Sequence, residues 1–390
     1  MSRNIVLCCD GTANKFGVVN TNVVRIVQSL IRDDEEQLVY YDPGVGTMPG
    51  PGLITRTGKF LSKLIDLAFA TGLEQNVSEA YSFLMEHWEE GDRIYIFGFS
   101  RGAYTARVVA ALLQHVGLLP QGSQNLIPYA LGLLRVTNKD DLQVGDQFRE
   151  TFARPIAGSR DRRCPVHFVG VFDTVSSVGW FWEPAKFKYS ATNPGISHIR
   201  HAIAIDERRA FYRQNRFFAA GGQDLQQLWF PGAHADVGGG YADSHLGRCA
   251  FDWMLDEAVA AGLHVDSARR TAASQPPVAK PWLEKKHNEL LKPWWWLLEF
   301  VPKLHYNSEK RRNGIRLNLF RSRRLSNGEL LHEAALRRIH DDPGYNPASL
   351  SRAFLEQVRA LKEIPKSLAY TKEPNAIAPG APPPAPAPAT

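Results

Sequence analysis

The chain has 390 residues, 44% hydrophobic and 22% charged, which is globular composition and long enough for one large domain or one domain with an addition. A net charge of +6 is too mild to imply nucleic acid, and its Lys and Arg gather between residues 284 and 324, where a solvated face is the simpler explanation. No apolar run reaches the roughly 18 residues of a membrane span, and Cys8, Cys9, Cys164 and Cys249 have no metal-ligand spacing.

The first strand is "NIVLCC", entered at once without a signal-peptide pattern, so the expected location is the cytoplasm with reduced thiols. It ends in Asp10-Gly11-Thr12. "NTNVVRIVQSLI" has apolar residues at Val23, Ile26, Val27 and Leu30, which predicts a helix capped by Thr21 or Asn22. "EQLVYYDPGVGT" is a second strand and "EQNVSEAYSFLMEHW" a second helix. "DRIYIFGF" is a strand that runs through Ser100 into the helical "YTARVVAALLQHVGLL". "VHFVGVFDTV" is a strand ending in Asp173. "QQLWFPGAHADVGGGY" is a strand with a glycine-rich exit, followed by the helix "CAFDWMLDEAVAAGL". Alternating strands and helices predict an α/β fold, a mostly parallel sheet with helices on both faces. Residues 271–330 break the rhythm and read as a cap or insertion within a catalytic unit of residues 1–372. The Pro/Ala-rich residues 373–390 read as a disordered tail.

The strand–turn–helix around "GFSRG" is the context a nucleophile elbow requires. At such a tip the serine backbone is strained, its neighbours must be small, and the following helix aims its first N–H groups at developing negative charge. Gly98 and Gly102 meet the size requirement for Ser100. Four polar motifs lie at strand ends, where open α/β sheets bind ligands: Asp10-Gly11-Thr12, Ser100, Asp173 and His234-Ala235-Asp236. The chain order serine, acid, histidine is met by Ser100, Asp173 and His234, and equally by Ser100, Asp236 and His332. The first set is preferred because a glycine-rich strand exit can present His234, whereas "HEAALRRI" reads as helix. His167, inside a strand, reads as structural. Oxyanion donors are expected from the amide of Arg101 and from Gly11 or Thr12. "CDGT" has Cys8 where an aspartyl phosphatase needs its nucleophile, and the glycines of "PGVGTMPGPG" lead to no Gly-Lys-Ser/Thr, so phosphoryl chemistry is set aside.

The stretches "DGTANKF", "TNVVRI", "YYDPGVGT", "GFSRGAYTAR", "FVGVFDTVSSVG", "HAIAIDERRAFY" and "WFPGAHADVGGGY" span residues 10 to about 241. In them the chain resembles the α/β-hydrolase domain family that includes the type VI secretion phospholipase effectors of the first lipase class. The resemblance implies a serine esterase acting on glycerophospholipid esters, with the triad Ser100, Asp173 and His234. It also leaves room for export by a signal-independent secretion system. A later family motif of His, any residue, then Ser is half met, with His332 present and Ala334 in the serine position. No metal or organic cofactor is required by this chemistry. The competing reading is a non-catalytic module that binds membrane or a protein partner through its basic, Trp-rich segment. In that segment, "PWLEKKHNELLKPWWWLLEFVPKLH", three consecutive tryptophans cannot share one helix face. The first expectation is a cap packed over the sheet; the alternative is that this cap also meets anionic lipid through Trp294, Trp295, Lys285, Lys286, Lys292 and Lys303.

Overall fold

In a computed structural model the described residues are 2–11, 17, 19–44, 71–135, 140–175, 179–180, 183–184, 187–210, 212–274, 276–300, 303–307 and 312–373. Thr12, most of "PGVGTMPGPG" and the tail from residue 374 lie outside them. The main sheet has eight strands: β1 (Asn4–Cys9), β2 (Gln37–Asp42), β3 (Arg93–Phe99), β4 (Val166–Phe172), β5 (Ile196–Ala204), β6 (Asp224–Phe230), β7 (Leu330–His332) and β8 (Ser367–Ala369). Their order is β8-β7-β6-β5-β4-β3-β1-β2, and every pair is parallel except the antiparallel β7–β8 edge. The helices are α1 (Asn22–Ser29), α2 (Thr71–His87), α3 (Arg101–His115), α4 (Ile127–Leu134), α5 (Asp140–Phe152), α6 (His234–Gly238), α7 (Arg248–Ala260), α8 (Ser267–Ala273), α9 (Trp294–Glu299), α10 (Glu333–Asp341) and α11 (Arg352–Arg359). This is the expected α/β architecture.

The two faces of the central strands separate by residue parity. Ile5, Leu7, Ile94, Ile96, Val169 and Val171 pack with residues of α2, α3 and α4, whereas Val6, Cys8, Tyr95, Phe97 and Phe168 pack with those of α1 and α7. Because both faces are covered, these strands read as continuous apolar runs and not as alternation. Thr21 caps α1, accepting from the Val24 amide at 3.2 Å. All four cysteines are free and buried.

Strand β5 carries no apolar run in the sequence, because Ser197, His198, Arg200 and His201 interrupt it. Arg200 is nevertheless buried, held at 2.6 Å by both Glu257 and Asp224, so ion pairing replaces apolar burial there. Residues 271–329 add no strand to this sheet among the described residues. Beyond them, β7, α10 and α11 build a third cluster on Ile203 and Trp229 that extends the core.

The chain leaves β1 for β2 on one side and returns to β3 on the other. That reversal makes a crevice at the carboxyl ends of β1 and β3. Ser100 follows β3 there, Asp10 follows β1, and Asp173 follows β4.

Candidate active site

Ser100 sits between β3 and α3 with φ 59° and ψ −118°, a conformation that costs a non-glycine residue about 1–3 kcal/mol. Its amide donates to Phe172 O at 3.1 Å, which ties the turn to the end of β4. A Cβ on Gly98 would lie 2.5 Å from the carbonyl oxygen of Gly102, and one on Gly102 would run into the carbonyl oxygens of Cys9 and Asp10. The glycines are therefore demanded by backbone contact on both sides of the serine. The Ser100 side chain makes no capping bond to α3, whose first N–H belongs to Arg101. The positive end of the helix dipole thus meets the serine.

Asp173 also has a left-handed backbone, φ 40°, and is fully buried. Its Oδ2 lies 2.6 Å from His234 Nδ1, and its Oδ1 accepts from the Ala204 amide at 3.0 Å. Both oxygens are gripped by the Arg323 guanidinium, Nη2 at 3.0 Å from Oδ2 and Nη1 on Oδ1. Burial alone would push the Asp173 carboxyl up. The Arg323 charge and the His234 hydrogen bond outweigh it and hold the group well below the usual carboxylate range. An ionised Asp173 can only accept, so His234 carries its proton on Nδ1 and leaves Nε2 as the acceptor.

His234 opens the short helix α6 instead of lying in an irregular exit loop. Its amide donates to Glu207 Oε2 at 3.2 Å, and its ring rests against Phe99 (centroids 4.7 Å) and edge-on to Tyr212 (4.5 Å). Phe99 immediately precedes Ser100, so the imidazole packs against the residue next to that serine. Gly238 allows this approach, since a Cβ there would strike the Phe99 ring. Burial lowers the His234 pKa, against the opposing pull of Asp173.

The other polar motifs have different partners. Asp10 accepts from Thr21 Oγ1 (2.7 Å), Tyr41 Oη (3.1 Å) and the amide of Gly11 (2.6 Å). It organises the turn after β1 and takes the Gly11 N–H. Asp236 accepts from the amides of Ala233 and His287, both at 2.9 Å, and pairs with His287 Nδ1 at 2.7 Å. His332 is the cap of α10, with Nδ1 accepting from Ala334 N at 3.1 Å and its ring stacked on Phe230 (4.3 Å). Burial pushes its pKa down to about 4. The structure therefore joins Asp173 to His234, while Asp236 and His332 are each committed to other partners. His167 bonds Ala261 O at 2.8 Å from within β4.

Sequence reasoning did not single out Arg323, Glu207, Arg209 or Tyr212. Glu207 and Arg209 form a buried pair at 2.7 Å, and the Arg209 guanidinium lies 3.7 Å from the Tyr212 ring centroid. Those three residues fall within "IDERRAFY", so the stretch offered a signal. Arg323 lies in "FRSRR", where a buried guanidinium cannot be told from a solvated one.

Over residues 3–257 the chain matches the family described as "T6SS, Phospholipase effector Tle1-like, catalytic domain". An uncharacterized protein of Saccharomyces cerevisiae is 36% identical over 226 residues, covering 54% of this chain and 32% of that protein. This chain thus spans about a third of that relative's length. Among solved structures, an uncharacterized protein from Pseudomonas aeruginosa is similar at 21% identity and TM-score 0.42, covering 69% of this chain and 47% of that one. A Tle1 effector bound to the VgrG spike of the type 6 secretion system is similar at 19% identity and TM-score 0.34, covering 62% and 52%.

Proposed function

The chain belongs to the family of T6SS Tle1-like phospholipase effector catalytic domains, and from that premise we propose that it hydrolyses carboxylic esters of phospholipids through Ser100, His234 and Asp173. The observation that carries the reading is the buried Asp173–His234 contact, whose imidazole rests against Phe99, the residue before the strained Ser100. In this mechanism Ser100 Oγ attacks the ester carbonyl carbon while its proton passes to His234 Nε2. Asp173 holds the tautomer and stabilises the imidazolium. The Arg101 N–H, at the first turn of α3, donates to the tetrahedral oxyanion. Collapse breaks the C–O bond, and the leaving lysolipid alkoxide takes the proton back from Nε2. Water, deprotonated by the same imidazole, then attacks the acyl-enzyme and releases the fatty acid and Ser100. The nucleophile is activated by its base alone, with no metal or organic cofactor in any step.

The catalytic unit in this reading is residues 1–372, with 271–330 as its cap. Among the described residues no helix is long and apolar enough to cross a membrane. The test is covalent labelling by a fluorophosphonate together with a panel of defined phospholipids. Labelling and fatty-acid release that both vanish in Ser100→Ala support the proposal. A wild-type protein that neither labels nor hydrolyses any ester would leave only a binding module.

A further inference from the structure

The Trp-rich segment divides its side chains between the site and solvent. Trp295 lies edge-on to Tyr212 (5.6 Å) and beneath the Arg209 guanidinium (4.7 Å), which ties α9 to the residues around His234. Its neighbours face outward: Leu291 is 77% exposed, Trp296 50% and Phe300 56%. The Trp296 and Phe300 rings both lie edge-on to Phe320, at 6.1 and 6.0 Å, and Leu319 beside it is 41% exposed. Trp296, Phe300 and Phe320 thus join in one aromatic cluster with Leu319 next in the chain, and Leu291 lies just before α9, whereas scattered single exposures would need no explanation.

The surface is held in place at a cost. Leu319 and Phe320 adopt φ 50° and 58°, two consecutive left-handed residues with side chains that disfavour it. The fully buried Glu299 fixes that turn, accepting from Phe320 N at 2.9 Å and Asn318 Nδ2 at 2.7 Å. It also accepts from Ala210 N at 2.6 Å. A buried carboxylate that pins the strained pair of exposed Leu319 and half-buried Phe320 argues for preorganisation.

Charge identifies the occupant. Lys285, Lys286 and Lys292 each already face a carboxylate, of Asp243, Asp206 and Glu289, and the side chain of Lys303 lies outside the described residues. Exposed Arg208, Arg321 and Arg324 instead flank the apolar turn, with Arg208 bonded to Phe320 O at 2.7 Å. Tryptophan and phenylalanine bordered by arginine match the interface of a bilayer carrying anionic head groups. We propose that Leu291, Trp296, Phe300, Leu319 and Phe320 form a docking surface for an anionic phospholipid bilayer, which seats the protein so that lipid esters reach Ser100. The inference rests on the esterase reading for its purpose, and its binding step can be measured without turnover.

The experiment uses the full chain with Ser100→Ala, so that vesicles stay intact, and sedimentation with phosphatidylglycerol/phosphatidylcholine vesicles. Adding Trp296→Ala and Phe300→Ala should weaken binding at least about tenfold while the protein stays folded, its melting temperature lowered by only a few degrees for the lost contacts to Phe320 and the lost Trp296 bond to Leu290 O. Arg321→Glu with Arg324→Glu should erase the preference for anionic over pure phosphatidylcholine vesicles, about fivefold or more per arginine. With Ser100 intact, the Trp296/Phe300 variant should hydrolyse a soluble short-chain ester within about twofold of wild type while losing vesicle hydrolysis. Vesicle binding that survives both pairs of substitutions would overturn the proposal. So would a wild-type dimer that the Trp296/Phe300 variant converts to monomer, since the face would then serve self-association. Vesicle binding that follows these predictions, in a protein whose wild type hydrolyses no ester, would retain the docking surface and overturn the esterase reading instead.

Discussion

Replacing Arg323 with glutamine tests the electrostatic design of the site. Asp173 has no solvent exposure and the Arg323 side chain is 5% exposed, so the pair is buried on both sides. Removing the cation leaves a buried carboxylate with only His234 and the Ala204 amide, and truncating one member of a buried pair costs about 3–5 kcal/mol. Against a total stability of about 5–15 kcal/mol that loss is severe. The sign with pH follows from Asp173, whose pKa in the fold is held below its unfolded value. Such a group adds stability above the unfolded pKa of about 3.9 and loses it as pH falls toward the folded value. Without Arg323 the depression shrinks, so acid unfolding of Arg323→Gln should begin at higher pH than in wild type. Urea unfolding at pH 7 and at pH 4.5 measures both effects, and Arg323→Lys should recover part of the loss because it restores charge without the two-pronged grip. An Arg323→Gln protein within about 0.5 kcal/mol of wild type at pH 7, with an unchanged acid midpoint, would refute the reasoning, since ordinary surface substitutions fall in that range.

Four further outcomes follow from the same geometry. Ser100→Ala should abolish fluorophosphonate labelling and cost several orders of magnitude in ester turnover while melting near wild type, since alanine places the same Cβ at φ 59°. His234→Ala should be about as damaging as Ser100→Ala, and His332→Ala should keep most activity while losing about 1 kcal/mol of aromatic packing in a melt; the reverse ranking would move the base to His332. Because burial lowers the His234 pKa, the acidic limb of kcat/KM should fall below the ordinary histidine value of about 6.5, and a midpoint at or above 7 would contradict this. Gly102→Ala should destabilise by about 3 kcal/mol or more in urea, because the new Cβ meets backbone oxygens of Cys9 and Asp10 that cannot turn aside.

Local chemistry explains why parts of the site were visible in the chain and others were not. Ser100 was legible because a strand, a tight turn and a helix are all short-range, and Gly98 and Gly102 mark the only residues that fit between their backbones. Asp173 was legible as a polar residue ending an apolar strand. The choice between the two acid–histidine pairs was not legible from spacing, because Asp236 lies two residues after His234 and both follow the same strand. Pairing Asp236 with His287 and stacking His332 on Phe230 depend on where residues 281–291 and strand β7 come to rest.

The sequence by itself determined the alternating α/β order, the elbow at Ser100 and the polar ends of β1, β3 and β4, since each is written within a dozen residues by periodicity and turn chemistry. Spacing left two acid–histidine pairs open and the glycine-rich exit favoured Asp173 with His234; tertiary structure brings those two side chains to 2.6 Å. It also decided that the β5 cation Arg200 is buried in ion pairs, that Arg323 from a basic run grips Asp173, and that Trp295 turns inward while Trp296 turns out. Those outcomes depend on desolvation and on partners as many as 150 residues apart in the chain, and no local pattern encodes which of many similar charges will be taken out of water.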